Sequence, residues 1–364
     1  MRVRLFEIAS ANQAYARGPR VESRLTINTE GIVGRFVAFG EVMLRLSPPG
    51  RELLLQRPQL DVWVAGAEAN VATGLARLGH DVGFVTKLPD NDLGRAALTS
   101  LRGHGIDTRG LTTGGERMGL YFVTSGAGMR ATEVIYDRAG SAFAEADPDA
   151  WDWDLGLDGA DRLHLSGVTP ALGEGPARAA LRAAEAAAAR GVPVSFDGNY
   201  RAKLWERWDA DPRAILSELV AHADLLFGNH RDIGLLLGRS FEGEGRDWAE
   251  AAFETFPRLR LIASTTRVVE SVDCHRLSAR IDARDASHRT DEVTVSDIVD
   301  RIGGGDAFAS GVLHALRCGG DAATAAETGL ALTVLKHSLP GDASLFRQAD
   351  LDAFMAGGGL DVRR

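Results

Sequence analysis

Residues 161–197 read "DRLHLSGVTPALGEGPARAALRAAEAAAARGVPVSFD". The two ends are short apolar runs, "DRLHLSG" and "VPVSFD", in the form of buried strands. Between them "PARAALRAAEAAAARG" is rich in alanine, the strongest helix former, and it stops at Gly191, the residue type that most readily closes a helix. The unit is strand–helix–strand. The same theme runs outward in both directions. Upstream, "RFVAFG" (35–40) reads as a strand, "EANVATGLARLG" (68–79) as a helix stopped by Gly79, and "DVGFVTKL" (81–88) as a strand. Downstream, "ADLLFGN" (223–229) leads into a helix from about His230. A second helix comes near "DWAEAAFETF" (247–256), then the strand "LRLIAS" (259–264) and two C-terminal helices. This alternation predicts an α/β fold with a mostly parallel sheet covered by helices on both faces.

Two segments have a different texture. Residues 42–64, "VMLRLSPPGRELLLQRPQLDVWV", and 118–138, "MGLYFVTSGAGMRATEVIYDR", read as short strands joined by Pro and Gly turns. They predict a small β-sheet projecting as a lid over the sheet edge where open α/β folds bind ligands. Residues 1–34 carry arginines at 2, 4, 17, 20 and 24 and no regular apolar period. They read as an N-terminal extension that is disordered, packs on a neighbouring subunit, or results from an upstream choice of start codon.

With 364 residues, 45% of them hydrophobic, the chain can bury a large core, as one large domain or two smaller ones. A formal net charge of −9 argues against a general nucleic-acid binder, which needs a basic face. Two cysteines, Cys274 and Cys318, are too few for a disulfide framework or a zinc site and suit a reducing compartment. No apolar run reaches membrane-spanning length and the N-terminus lacks the continuous apolar core of a secretory signal, so a cytoplasmic protein without a membrane partner is expected. The nine histidines show no metal-binding pattern such as H-x-x-x-H, and His104, His164, His222, His314 and His337 read as structural or surface residues. A nucleophile elbow G-x-S-x-G, a Walker loop and a dinucleotide fingerprint are all missing.

Four clusters carry chemistry. In "DIVDRIGGGDAFASGVLHAL" (297–316) three glycines open a helix, where N–H groups aim at one point, and Asp306 stands beside them as either a proton acceptor or a capping residue. In "VSFDGNYRAKLW" (194–205) Asp197, Asn199 and Arg201 are spaced by two. In extended chain they share a face and converge on a polyhydroxylated ligand, with Arg201 suited to a carboxylate or phosphate. In "WVAGAEANVATGLARLG" (63–79) Gly66 permits close backbone approach, and Asn70 either binds hydroxyls or caps the helix. In "LLFGNHRDIGLLLG" (225–238) Asn229 and Asp232 lie three apart, as ligands of hydrated Mg²⁺ or as a helix cap.

Taken together, "GAEANVATGLARLG" and "DRIGGGDAFASG" resemble the N- and C-terminal motifs of the ribokinase/PfkB superfamily of sugar kinases, over residues 36–356. With "GEVMLRLSPPG", "GLYF", "YDRAGSA", "DGNYRAKLW" and "LKHSLPGD", the chain is most similar to 2-keto-3-deoxygluconate kinases. The resemblance implies a three-layer α/β/α ribokinase-like sandwich over residues 35–364, with lid strands drawn from about 42–64 and 118–138. It implies a kinase that uses ATP and Mg²⁺ to phosphorylate the primary hydroxyl of 2-keto-3-deoxygluconate, or a close sugar acid, giving the 6-phosphate. Asp306 becomes the general base, and the N–H groups of Gly303, Gly304, Gly305 and Asp306 the anion hole. Gly66 and Asn70 lie against the sugar, Tyr121, Tyr136 and Arg138 reach down from the lid, and Arg201 faces the carboxylate. Asn229, Thr265, Gly303 and Gly305 fall to the nucleotide, and Asp232 to the metal through water. A homo-oligomer is expected.

Some positions depart from the pattern. Asp232 replaces the usual Glu of N-x-x-E, Ala65 replaces the first of a Gly pair, and Gly198 replaces a larger residue. "ASTTRVVESVDCHRLSARI" (263–281) stands where a glycine-bearing nucleotide loop is usual, and reads as a longer, glycine-free loop with a T-x-R insertion. A kinase for a neutral ketose such as fructose or tagatose, or a sugar-binding sensor of the same fold, are the alternative readings.

Overall fold

The computed structural model describes residues 34–243 and 245–357. The extension expected over residues 1–34 lies outside the described residues except for Gly34. Among the described residues fourteen strands form two sheets: β1 (Arg35–Phe39), β2 (Met43–Ser47), β3 (Asp61–Ala65), β4 (Asp81–Leu88), β5 (Leu111–Thr113), β6 (Gly119–Thr124), β7 (Glu133–Asp137), β8 (Ala160–Ser166), β9 (Val194–Asp197), β10 (Ala223–Phe227), β11 (Leu261–Ser271), β12 (Cys274–Ala283), β13 (Ser287–Arg289) and β14 (Val293–Val295). The large sheet runs β13-β12-β11-β10-β9-β8-β1-β4-β5, with β14 also on β12. It is parallel from β5 through β11 and antiparallel beyond.

The parallel strands are apolar on both sides because each face is covered. In β1, Val37 and Phe39 enter a core shared with the helices Glu174–Ala189, Pro212–His222 and Asp247–Thr255. The alternate residues Phe36 and Ala38 enter a second core with the helices Ala67–Arg77, Gly304–Arg317 and Ala322–Lys336. The helix Glu174–Ala189 presents Ala179, Ala180, Ala183, Ala184 and Ala187, all essentially without solvent exposure, so it can lie close on the sheet. Three layers result.

Two expectations are corrected. The segment 263–281 is not a loop: β11 continues to Ser271 and pairs antiparallel with β12 across a two-residue turn. The β-branched run "TTRVV" favours this extended pairing, which replaces a glycine loop by a hairpin. A third C-terminal helix, Gln348–Met355, comes after the two expected and buries Leu351 against Leu78 and Ala331.

The second sheet, β3-β2-β6-β7, is the expected lid. Strand β7 is exposed along its whole length, whereas Arg45 of β2 is only 2% exposed. Arg45 reaches Asp300, at 2.6 Å, and Asp342, both in loops of the main body. This ion cluster fixes the lid over the edge of the large sheet. No described helix is long and apolar enough to cross a membrane.

Candidate active site

The site grows from the register of the parallel strands. Ser166, Asp197, Phe227 and Ala263 are successive neighbours at the ends of β8, β9 and β10 and partway along β11. The segments that leave β8, β9 and β10 therefore emerge on one edge, the general location of ligand sites in such sheets. A cleft of about 580 Å³ opens there, between this edge, the lid and the helix Gly304–Arg317.

That helix begins with Gly303 as N-cap, at φ 79°. A side chain at Gly303 would both strain this left-handed conformation and meet the Asp342 carbonyl oxygen at 1.7 Å, so glycine is required. Gly305 faces open space, leaving its backbone accessible. The Gly304 N–H is taken by the Arg301 carbonyl at 3.3 Å. Helix geometry leaves the N–H groups of Gly305 and Asp306 without intrahelical acceptors, and no other acceptor meets them among the described residues. Of the four N–H groups expected to hold an anion, that of Gly304 is thus already taken by the turn it closes.

Asp306 lines the cleft in the first turn of the helix and accepts a hydrogen bond from Asn70 Nδ2 at 2.7 Å. Burial raises its carboxyl to about 8; Asn70 opposes the rise, and the charges of Asp197 and Asp342 add to it. Asn70 is therefore not a helix cap: it sits inside the helix Ala67–Arg77 and holds the Asp306 carboxylate. Gly66, the N-cap of that helix, lies so near the Glu41 carbonyl oxygen that a Cβ would sit 2.2 Å from it.

Asp197, Asn199 and Arg201 all line the cleft, although not through an extended chain. Asn199 adopts φ 33°, a turn that its own N–H supports by donating to Asp197 Oδ1 at 3.2 Å. Arg201 precedes the short helix Ala202–Trp205 and, among the described residues, has no carboxylate within ion-pair distance. Burial, with the neighbouring Asp232 charge, raises Asp197 to about 7, and Arg201 opposes this.

Asn229 and Asp232 also line the cleft, and they form a capping box for the helix His230–Leu237. Asp232 Oδ2 accepts from the Asn229 N–H at 2.8 Å, which leaves Oδ1 for another partner. Burial raises this carboxyl too. Two neighbouring, desolvated carboxylates offer hard oxygen donors, the kind Mg²⁺ takes, so the residues present fit that ion.

From the lid, Tyr136 stacks on Tyr121 at 5.8 Å and keeps a free edge on the cleft. Tyr121 and Arg138 line the cleft but have other commitments. The Tyr121 hydroxyl donates to Asp342, and the Arg138 guanidinium is ion-paired to buried Glu41, with Nε donating at 2.8 Å. They shape the wall and stiffen Tyr136 more than they offer free polar groups. Thr265 lines the opposite wall on β11.

Sequence reasoning passed over Arg267 and Arg301, which line the cleft beside the glycines and have no carboxylate partner among the described residues. Partial burial and the neighbouring Arg301 charge hold Arg267 below an arginine's ordinary pKa. The signal lay in the R of "TTR" and the R of "DRIGGGD". Lys336 was also missed: it is fully buried and donates to the carbonyls of Asp300 at 3.1 Å and Leu339 at 3.2 Å, bracing the loop ahead of Gly303.

Residues 34–345 match the pfkB family of carbohydrate kinases. The chain belongs to this family. Among curated pfkB relatives, a 2-dehydro-3-deoxygalactonokinase of Haloferax volcanii is 33% identical over 333 residues, covering 92% of this chain and 100% of the relative. The crystal structure of 2-dehydro-3-deoxygluconokinase from Thermotoga maritima superposes with a TM-score of 0.82 at 37% identity, over 89% of this chain and 99% of that one. A pfkB carbohydrate kinase from Listeria grayi superposes with a TM-score of 0.84 at 32% identity, over 88% of this chain and 99% of that one.

Proposed function

We propose that this pfkB kinase transfers the γ-phosphoryl group of ATP to the primary hydroxyl of a 2-keto-3-deoxy sugar acid. The acceptor is 2-keto-3-deoxygluconate or its epimer 2-keto-3-deoxygalactonate, and the product the 6-phosphate. The observation that carries the acid over a neutral sugar is Arg201, a guanidinium without a carboxylate partner among the described residues, set in the cleft with Asp197 and Asp306. A sugar carboxylate satisfies it by a charge-assisted pair, which a neutral ketose cannot supply. The names of the two relatives support the same class.

In the reaction Asp306, in its deprotonated form, accepts the proton as the acceptor oxygen attacks the γ-phosphorus and ADP departs. Asn70 holds the carboxylate toward that oxygen. The orphaned N–H groups of Gly305 and Asp306 stabilise charge on the transferring oxygens, which is the main contribution a protein makes to phosphoryl transfer. Arg267 and Arg301 take the phosphates of the leaving nucleotide, with Asn229 and Thr265 along the same wall. Asp232, acting through water, would hold Mg²⁺, whose charge offsets that of the triphosphate.

The expected homo-oligomer is supported by the outer face of the lid, where register puts Val62, Leu46, Phe122 and Ile135 in one apolar row across all four strands. Val62 and Ile135 are 55% and 53% exposed.

The test is ADP release measured over a panel of sugar acids and neutral sugars, with wild type and Arg201→Ala. Turnover is expected with the two keto-deoxy acids and not with fructose, tagatose or ribose. The variant should lose about 10- to 100-fold in kcat/KM for the acid, the worth of a hydrogen-bonded charge. Equal use of fructose, or an unchanged acid preference in the variant, refutes the assignment.

A further inference from the structure

Far from the cleft, the fold gathers three residues that chain spacing left unassigned. His314 lies in the last turn of the helix Gly304–Arg317 and Cys318 is its C-cap, four residues on and therefore on the same side. A search for paired histidines passes over this H-x-x-x-C spacing. His80 comes from the turn between the helix Ala67–Arg77 and β4. His80 Nε2 lies 2.8 Å from His314 Nδ1, and Cys318 Sγ lies 3.9 Å from the same nitrogen. One ligand atom from each residue falls within 4.8 Å of the other two. His314 is buried while His80 and Cys318 are half-buried, so the cluster is enclosed but reachable.

The chemistry of the donors is that of a soft metal site. Burial lowers His80 to about 3, with the His314 and Arg317 charges adding to the effect. It lowers His314 to about 4, with Asp352 opposing. Both imidazoles are thus neutral at physiological pH and hold lone pairs. The cation beside them, Arg317, is committed to Asp161 in a two-pronged ion pair. Tetrahedral zinc with bonds of about 2.05 Å to nitrogen and 2.3 Å to sulfur sets its ligands roughly 3.3 Å apart for N···N and 3.6 Å for N···S. These two distances therefore need to change by only about 0.3 to 0.5 Å, opening the ring pair and closing on the sulfur. The C-terminal end of a helix also favours a cation.

We propose that His80, His314 and Cys318 bind one Zn²⁺ through His80 Nε2, His314 Nδ1 and the Cys318 thiolate, with water as the fourth ligand. Binding breaks the hydrogen bond between the rings, the proton it held moving to the other nitrogen of the same ring, and releases the thiol proton, so affinity rises with pH. The ion pins the end of the helix Gly304–Arg317 to the turn before β4. It lies one helix length, about 20 Å, from the anion hole, and so takes no part in phosphoryl transfer.

The test uses the full chain, stripped with chelator and titrated with Co²⁺ or Zn²⁺ in the presence of excess Mg²⁺. Wild type is expected to bind one equivalent, to show a near-ultraviolet thiolate-to-cobalt band, and to melt at higher temperature with Zn²⁺. Cys318→Ser should lose the band and the thermal shift yet keep Mg²⁺-supported kinase activity, and Cys274→Ser should keep all of them. His80→Gln, on the surface turn, is a second variant that should weaken binding at least tenfold. The proposal is overturned if wild type binds no Co²⁺, or binds it without the thiolate band. Equal binding by wild type and Cys318→Ser also overturns it, since the ion is then held elsewhere.

Discussion

Asp306→Asn should abolish turnover and stabilise the protein. The substitution keeps the size of the side chain and leaves an oxygen for Asn70 Nδ2, now at 2.7 Å from the carboxylate. Losing a general base costs about 10²- to 10⁴-fold, so ADP release should fall at least 100-fold with acceptor binding retained. The stability effect stems from the rise of the Asp306 carboxyl from 3.8 to about 8, caused first by burial. Between those pH values the folded chain holds a proton that the unfolded chain has released. The carboxyl's contribution is therefore intact below pH 3.8, is lost as pH rises, and is fully lost above about 8. At about 1.4 kcal/mol per unit the whole rise sets a ceiling of about 6 kcal/mol. Water in the open cleft screens part of it, and about half, roughly 3 kcal/mol, is the expected gain for the Asn variant in alkaline buffer. Denaturant melts of both proteins at pH 5 and pH 9 check this: the variant should be the more stable, with a gap that widens toward pH 9. A gap that does not change with pH, or a less stable variant at pH 9, refutes the reasoning about the carboxyl. Activity within tenfold of wild type refutes its role as base.

Arg267→Ala and Arg301→Ala should each raise the KM for ATP by about 10-fold or more, the worth of a charge-assisted contact. They should also weaken its dependence on salt, with the KM for the acceptor unmoved in initial-rate kinetics. Arg45→Met removes the cation between Asp300 and Asp342 and leaves two buried carboxylates uncompensated. A loss of about 3 to 5 kcal/mol in a urea melt is expected, and faster proteolysis of the lid. Val62→Asp, on the exposed row of the lid, should sediment as a smaller species than wild type.

The layered fold was legible because its signals are local: an alanine-rich helix closed by Gly191 between two apolar runs needs no distant partner to be read. The lid hairpins were legible from their turns for the same reason. What escaped were commitments made over long separations. Tyr121 and Arg138 carry free polar groups on paper, but folding gives Tyr121 to Asp342, 221 residues away, and Arg138 to Glu41, 97 residues away. Arg45 finds Asp342 across 297 residues, and no periodicity encodes such a pair. The equal spacing of Asp197, Asn199 and Arg201 suggested an extended face, but the left-handed Asn199 bends the chain and still delivers all three to the cleft. The 263–281 segment was misread because the absence of glycine was taken as an altered loop when its β-branched residues specify strands.

The lid draws its strands from two separate stretches of chain, and the arginine anchor sits in the first of them. Strands β6 and β7 bring Tyr121 and Tyr136 to the wall of the cleft, while β2, with Arg45, holds the sheet to the loops around the glycines. Acceptor choice can therefore drift, or be engineered by grafting residues 119–137, while the machinery that handles phosphate is inherited unchanged. The graft must keep a hydroxyl at position 121 for Asp342. A lineage that alters Tyr121 must alter its anchor with it, so substitutions at positions 45, 121, 300 and 342 should be exchanged among pfkB kinases as a set.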